Sequence, residues 1–228
     1  MIGETSQAKL INRQLRDSLR HQTLDSHIVK IAKHDNVYRC GRVASCSIYV
    51  IERGQVKLLT LSKEGKECIV AIHAGGDVFG ELCLSGTGER LETATAMEDT
   101  ELRVVPCHQF FNLLQSDSLL EGFVRYLVVR IADQQELITR LSTADSEHRL
   151  GITLLELARK LGRKQPQGLT IEHKISHEDL SHMIGTTRPR VSAFMHRFRE
   201  LGLIDTRVQQ GLVVREKELN DYLSTLAI

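Results

Sequence analysis

No apolar run in this chain of 228 residues approaches the roughly 20 residues that a membrane-spanning helix needs. The start, Met1 to Leu19, lacks the apolar stretch of a secretory signal, so we expect a soluble, cytoplasmic protein with no membrane partner. Excess charge is missing too. A formal net charge of +1 excludes a protein that holds polyanions by bulk charge, and any basic surface must be local. No C-x-x-C pair occurs among the five cysteines, Cys40, Cys46, Cys68, Cys83 and Cys107. Odd in number, with three of them in apolar or alternating stretches, they read as reduced thiols that behave as small hydrophobes.

What is present falls into two textures, and the length suits two small domains. Residues up to about Ser26, including "AKLINRQLRDSL", read as a helix. From His27 to about Cys107, short alternating or apolar runs are broken at Arg53-Gly54, Glu64-Gly65 and Gly75-Gly76-Asp77. Strands separated by tight turns at this spacing predict a small antiparallel sandwich or barrel. From near Asp117, Leu120, Val124, Leu127, Ile131, Gln134, Ile138 and Leu141 alternate steps of four and three, a heptad seam. Branched Val124, Ile131 and Ile138 occupy one seam position and Leu120, Leu127 and Leu141 the other, the assignment that favours a parallel two-stranded coiled coil, with Gln134 fixing register. A helix that covers its own barrel is the competing reading. Ser142 to His148 breaks the pattern with a helix cap, which divides the chain into residues 1–116, 117–144 and 145–228.

In the last segment "HRLGITLLELARKLG" reads as a helix and "RKQPQG" as a polar connector. Ser176 then caps a short helix with Asp179 three residues on, Gly185 makes a turn, and a second helix starts after Thr186 or Thr187 with Pro189 in its first turn. That is a helix-turn-helix, and "GLIDTRVQQGLVVR" supplies two strands around Gln209-Gln210-Gly211 for a wing. The second helix presents Arg188, Arg190, His196, Arg197 and Arg199, turns Val191, Phe194, Met195 and Phe198 to its core, and has no acid between Thr186 and Arg199. Arg188 and Arg190 are placed to read guanine edges in a major groove; Thr187, Ser192, Arg197 and Arg199 are placed to meet phosphates. A solvated basic face is the bland alternative, disfavoured by the turn, the proline start and the wing.

One stretch raises a different question. "GDVFGELCLSGTGERLETATA", Gly76 to Ala96, sets two apolar runs around Ser85, Gly86, Thr87 and Gly88, with an acid at Glu81 and a base at Arg90. Glycines let backbone N–H groups approach an anion, and a guanidinium offers it a planar fork of donors. A small anionic ligand fits; so does a hairpin loop in which Arg90 pairs with Glu81 or Glu92.

This stretch, together with "ISHEDLSHMIGTTRPRVSAFMHRFRELGLI", resembles the bacterial transcription regulators of the cyclic-AMP receptor protein and fumarate–nitrate reductase regulator (Crp/Fnr) superfamily, from about His27 to the wing. The resemblance implies an α+β chain: an N-terminal antiparallel double-stranded β-barrel of the cyclic-nucleotide-binding type, a long dimerisation helix, and a C-terminal winged helix-turn-helix. It implies a homodimer, no enzyme, that binds a two-fold-symmetric operator in double-stranded DNA under allosteric control, with RNA polymerase as a further candidate partner. Gly80 and Glu81 match the family's ribose-binding pair and Arg90 its phosphate-binding arginine, with Leu82 and Leu91 beside them. Leu91 stands where cyclic-AMP responders have serine, and Gln134, Gln135 and Glu136 stand where they place hydroxyls against the adenine. Those departures disfavour cyclic AMP and leave a small anionic or cyclic-nucleotide-like effector of unspecified identity. Arg188 matches the base-reading arginine, while Pro189 and Ala193 replace a glutamate and a second arginine, so the operator should differ. The family's iron–sulfur members need an N-terminal cysteine cluster, and no cysteine precedes Cys40. A thiol sensor on Cys40 and Cys46 near Arg39 and Arg42, a haem sensor using His73 or Cys68, and a metal-dependent barrel enzyme, which lacks an H-x-H pair, are the alternatives.

Overall fold

The computed structural model describes residues 13, 16–18, 26–41, 46–86, 89–115, 117–172, 175–207 and 211–226. It divides into two compact units, Met1–Gln134 and Gln135–Ile228. Residues 13 and 16–18 are helical; the rest of the helix expected before Ser26 lies outside the described residues.

The first unit holds eight described strands, β1 (His27–Ile31), β2 (Asn36–Tyr38), β3 (Ser47–Arg53), β4 (Gln55–Leu61), β5 (Glu67–Ala74), β6 (Val78–Phe79), β7 (Thr93–Ala96) and β8 (Thr100–Pro106). They form two antiparallel sheets, ordered β1-β8-β3-β6 and β2-β7-β4-β5. The expected barrel is therefore not closed; it is a jelly-roll-like sandwich. The central strand β3 explains the layering, because successive side chains point to opposite faces and both faces are buried. Tyr49 and Ile51 join Val56, Leu58, Phe79 and Leu102 between the sheets. Ile48 and Val50 face outward, where Phe110, Leu114, Leu119, Phe123 and Tyr126 cover them.

Those covering residues come from a short helix, Cys107–Leu114, and a long one, Asp117–Thr143. The long helix thus packs on its own sheet with one stripe, as the competing reading required. Its opposite stripe stays uncovered: Leu120 is 46% exposed, Val124 49%, Ile131 54% and Ile138 63%. Leu127 lies between the two and packs partly against the sheet cluster.

The apolar run after β6 does not continue as a strand. Gly80, at φ 91°, turns the chain into a 3-10 turn, Glu81–Ser85. A Cβ at position 80 would stand 3.0 Å from Tyr49 Cδ2 and 3.2 Å from Ser47 O, so backbone and space both require glycine. Thr87 and Gly88 of the expected loop lie outside the described residues.

In the second unit, Asp145 caps the helix Ser146–Leu161 by accepting from Glu147 N and His148 N at 2.8 and 2.9 Å. The segment read as a connector is instead a hairpin of β9 (Arg163–Gln165) and β10 (Gly168–Ile171), continued by β12 (Gly211–Val214) and β11 (Ile204–Arg207). All three β9 side chains are exposed, so no apolar alternation marked it. Helices His177–Ile184, Arg188–Glu200 and Glu216–Leu226 complete the unit. Among the described residues, no helix is long and apolar enough to cross a membrane.

Candidate functional site

The Glu81 turn and the strands around it gather several ionisable groups in a largely buried place. Arg90 is buried and donates from its two terminal nitrogens to Gly80 O and Ser47 O, each at 3.1 Å. Its guanidinium lies 4.2 Å from the centre of the Tyr38 ring, which favours a desolvated cation. The Tyr38 hydroxyl donates to Glu92 Oε1 at 2.9 Å. Burial raises the Glu92 pKa, opposed by that hydrogen bond. Of the two acids proposed as hairpin partners for Arg90, Glu81 pairs instead with Arg130, Oε1 to Nε at 3.2 Å. The other oxygen, Glu81 Oε2, is buried without a hydrogen-bond partner among the described residues.

Arg130 was not singled out from the sequence. It continues the buried stripe Leu119, Phe123, Tyr126 at spacings of four, three and four, and a cation at the end of an apolar stripe is the signal that identifies it. Tyr126 anchors that stripe by donating to Val78 O at 3.0 Å. Arg130 also lies 3.3 Å from His73 Nε2, while His73 Nδ1 lies 3.4 Å from Asp77 Oδ2. Both ring nitrogens of His73 thus face neighbours, which argues against a haem ligand there. Leu82 is half-buried, Leu91 is exposed, and Gln134 and Gln135 are exposed on the long helix.

The cysteines overturn the expectation of five reduced thiols. Cys46 and Cys107 form a disulfide, and Cys83 lies beside it. Cys40 is free and exposed, so of the two cysteines offered for a thiol sensor only Cys46 belongs to this cluster. Residues 46 and 107 meet only through the β3–β8 pairing, a contact that linear spacing does not reveal.

In the second unit, Ser176 Oγ accepts from Asp179 N at 2.9 Å, the helix cap the sequence predicted, and the same hydroxyl donates to Asp179 Oδ2 at 2.7 Å. Gly185 makes the turn in the left-handed region, φ 62°. The second helix starts at Arg188 with Pro189 in its first turn. Thr187, Arg188 and Arg190 are exposed at its N-terminus, and the Arg190 guanidinium lies over Phe194, which is half-buried rather than core. Ser192, expected at a phosphate, shares a hydrogen bond of 2.8 Å with His177 Nδ1. Arg197 pairs with Glu147 at 3.2 Å, and Arg199 donates to Thr206 Oγ1 of β11 at 3.4 Å, next to the wing. Residues 208–210 of the wing lie outside the described residues. Arg149 closes the far side: it donates to Ala144 O at 2.6 Å, at the end of the long helix, and to Ile184 O at 2.8 Å, at the end of the first short helix.

Two family models match, the cyclic nucleotide-binding domain over residues 28–117 and the Crp-like helix-turn-helix domain over residues 148–222. The cyclic AMP receptor protein of Thermus thermophilus is 31% identical over 180 residues, 78% of this chain and 79% of its own length. The chain belongs to the Crp/Fnr superfamily. A Crp/Fnr relative, the global nitrogen regulator of Synechococcus elongatus, is 33% identical over 182 residues, 78% of this chain and 81% of the relative. Among solved structures, the c-di-GMP-responsive global regulator CLP of Xanthomonas campestris has a TM-score of 0.71 at 20% identity, over 89% of this chain and 98% of that one, a likeness of fold. This Crp/Fnr protein is an effector-responsive, DNA-binding transcription regulator with an N-terminal effector domain and a C-terminal helix-turn-helix.

Proposed function

We propose that this regulator acts in the cytoplasm as a homodimer joined along the exposed stripe of its long helix, and that its effector is a small, anionic, hydroxyl-bearing molecule of nucleotide-like chemistry. The observation that carries the effector reading is Glu81 Oε2, a buried carboxylate oxygen with no hydrogen-bond partner among the described residues. An unmet acceptor of this kind costs about 1–3 kcal/mol, and a ligand hydroxyl that donates to it recovers that energy. Arg90, in the same site, supplies the cation for the ligand's acid group, with Gly80, Leu82 and Leu91 forming the surroundings.

The Thermus relative is named for cyclic AMP and the Xanthomonas structure for c-di-GMP, which supports an anionic nucleotide class. Leu91 supports a ligand other than cyclic AMP, since it offers no donor beside Arg90. Control of DNA binding requires the effector to contact two states of the protein differently. Arg130 is suited to report it, because it leaves the long helix to pair with Glu81. Arg188 and Arg190 then read base edges of a two-fold-symmetric operator, Thr187, Ser192, Arg197 and Arg199 meet phosphates, and residues 1–116, 117–144 and 145–228 carry effector binding, dimerisation and DNA binding in turn.

Calorimetric titration with cyclic AMP, cyclic GMP and c-di-GMP tests the reading on wild type, Glu81→Gln and Leu91→Ser. Leu91→Ser should bind cyclic AMP about tenfold more tightly than wild type, the worth of one added hydrogen bond. Tight cyclic-AMP binding by the wild type, or a nucleotide whose affinity is unchanged in Glu81→Gln, contradicts it.

A further inference from the structure

Three cysteines, far apart in the chain, deliver their sulfurs to one point. Cys46 directly precedes β3, Cys83 sits in the 3-10 turn, and Cys107 is the first residue of the helix Cys107–Leu114. Cys83 Sγ lies 2.9 Å from Cys46 Sγ and 3.3 Å from Cys107 Sγ. A crosslink needs only two sulfurs, so the disulfide leaves the third unexplained. Nor does the crosslink alone hold the site together: Cys107 N donates to Cys46 O at 3.0 Å, beside the β3–β8 ladder, so the two main chains stay paired when the disulfide opens.

We propose that in the reduced protein Cys46, Cys83 and Cys107 together bind one soft, thiophilic ion of three-coordinate preference, the class of cuprous ion and trivalent arsenic. Among the described residues, the three form a group whose ligating atoms all lie within 4.8 Å of one another, with no histidine or carboxylate in it. The adjoining stretches 42–45 and 87–88 read Arg-Val-Ala-Ser and Thr-Gly, which add no ligand of those types. All-sulfur donation selects soft ions, and a closed structural zinc site calls for a fourth ligand. Metal–sulfur bonds of about 2.3 Å put thiolates that share one ion roughly 4 Å apart, so Cys83 needs to shift by about an ångström from each neighbour, and the Cys46 and Cys107 sulfurs, once reduced, must part to the same separation. An iron–sulfur cluster would spread the three sulfurs much farther. Arg90 adds favourable charge at this place, since Ser47 O accepts from both its guanidinium and the Cys83 thiol.

Loading begins with a two-electron reduction of the Cys46–Cys107 disulfide by a dithiol, or in the test tube by a phosphine. The phosphine takes up the oxygen of one water as phosphine oxide, and the two sulfurs take its two protons. Each thiol that then ligates the ion gives up its proton, to solvent for cuprous ion, and for arsenous acid to a departing hydroxide that leaves as water as the arsenic–sulfur bond forms. This input is separate from the nucleotide-like effector and does not rest on it.

The full-length protein is reduced without oxygen by a trialkylphosphine, freed of the reagent, and titrated separately with cuprous ion against bicinchoninate and with arsenite. One equivalent per protomer in at least one titration, with three sulfur neighbours by X-ray absorption, is the expected result; which ion binds tells the source. Cys83→Ser should bind at least about 100-fold more weakly, the upper end of the cost of losing even an outer-shell partner, while Cys40→Ser and Cys68→Ser bind as wild type. The proposal falls if neither ion binds the reduced wild type stoichiometrically, or if only two sulfurs surround it. Wild-type affinity in Cys83→Ser, or an iron–sulfide chromophore in the purified protein, also overturns it.

Discussion

Replacing Arg90 with leucine removes more than a countercharge for a ligand. The guanidinium makes two charge-assisted hydrogen bonds, to Gly80 O and Ser47 O at 3.1 Å each, from a buried position. Bonds of this kind contribute about 1.5–3 kcal/mol each, and leucine leaves both carbonyls without that donor, so the loss is about 3–6 kcal/mol before the Tyr38 contact is counted. For a domain near 100 residues, 1 kcal/mol shifts the melting temperature by about 4–8 °C, so the ligand-free variant should melt at least about 12 °C lower. Arg90→Lys keeps the charge but not the planar fork, and should fall between the two. Scanning calorimetry of ligand-free protein is the assay, followed by ligand titration well below the variant's transition. A variant that melts within about 2 °C of wild type would refute the structural role, because loss of these bonds cannot then carry the energy assigned to them. A lost transcriptional response in Arg90→Leu would otherwise be misread as lost ligand contact alone.

Ile131→Asp places a charge in the exposed stripe of the long helix, and sedimentation should show the dimer split at micromolar concentration; an intact dimer contradicts the seam. Arg188→Ala should cost about 1–3 kcal/mol on a specific operator and relax one base pair, whereas Arg199→Ala should weaken all sequences alike and flatten the salt slope. Binding isotherms on matched and scrambled DNA at two salt concentrations separate them, and equal effects on specificity refute the division. Glu92 is held above its ordinary pKa by burial, so the folded state keeps this proton more tightly than the unfolded one. Its contribution to stability is present below the ordinary carboxylate range and is lost as pH rises through the folded value. Glu92→Gln should therefore raise the melting temperature, relative to wild type, more at pH 7 than at pH 4, and a flat or falling difference in thermal melts is the contrary result.

How legible each element was depended on the range of the interactions that make it. The helix-turn-helix was open to reading because Ser176, Asp179, Gly185 and Pro189 act within a few residues of themselves. The exposed stripe of the long helix was open too, since a period of 3.5 survives in the bare sequence. The sheet architecture was read only as sandwich or barrel, because closure is decided by which edge strands pair, not by any one strand's pattern. Arg130 and Cys83 were missed for a related reason: their partners, Glu81 in one case and Cys46 and Cys107 in the other, lie tens of residues away. The β9 edge has no apolar position to show a period, whereas the helix Glu216–Leu226 was passed over although Leu219, Tyr222, Leu223 and Leu226 recur at helical spacing.

The effector claim meets its most direct test in native mass spectrometry of the protein purified gently from its host, wild type beside Glu81→Gln. The wild type should release one molecule per protomer that carries both an acid group and hydroxyls, and Glu81→Gln should hold about tenfold less of it, as expected for one lost charge-assisted hydrogen bond. A neutral molecule, or the same anion at equal occupancy in both proteins, would contradict a site built on Glu81 and Arg90.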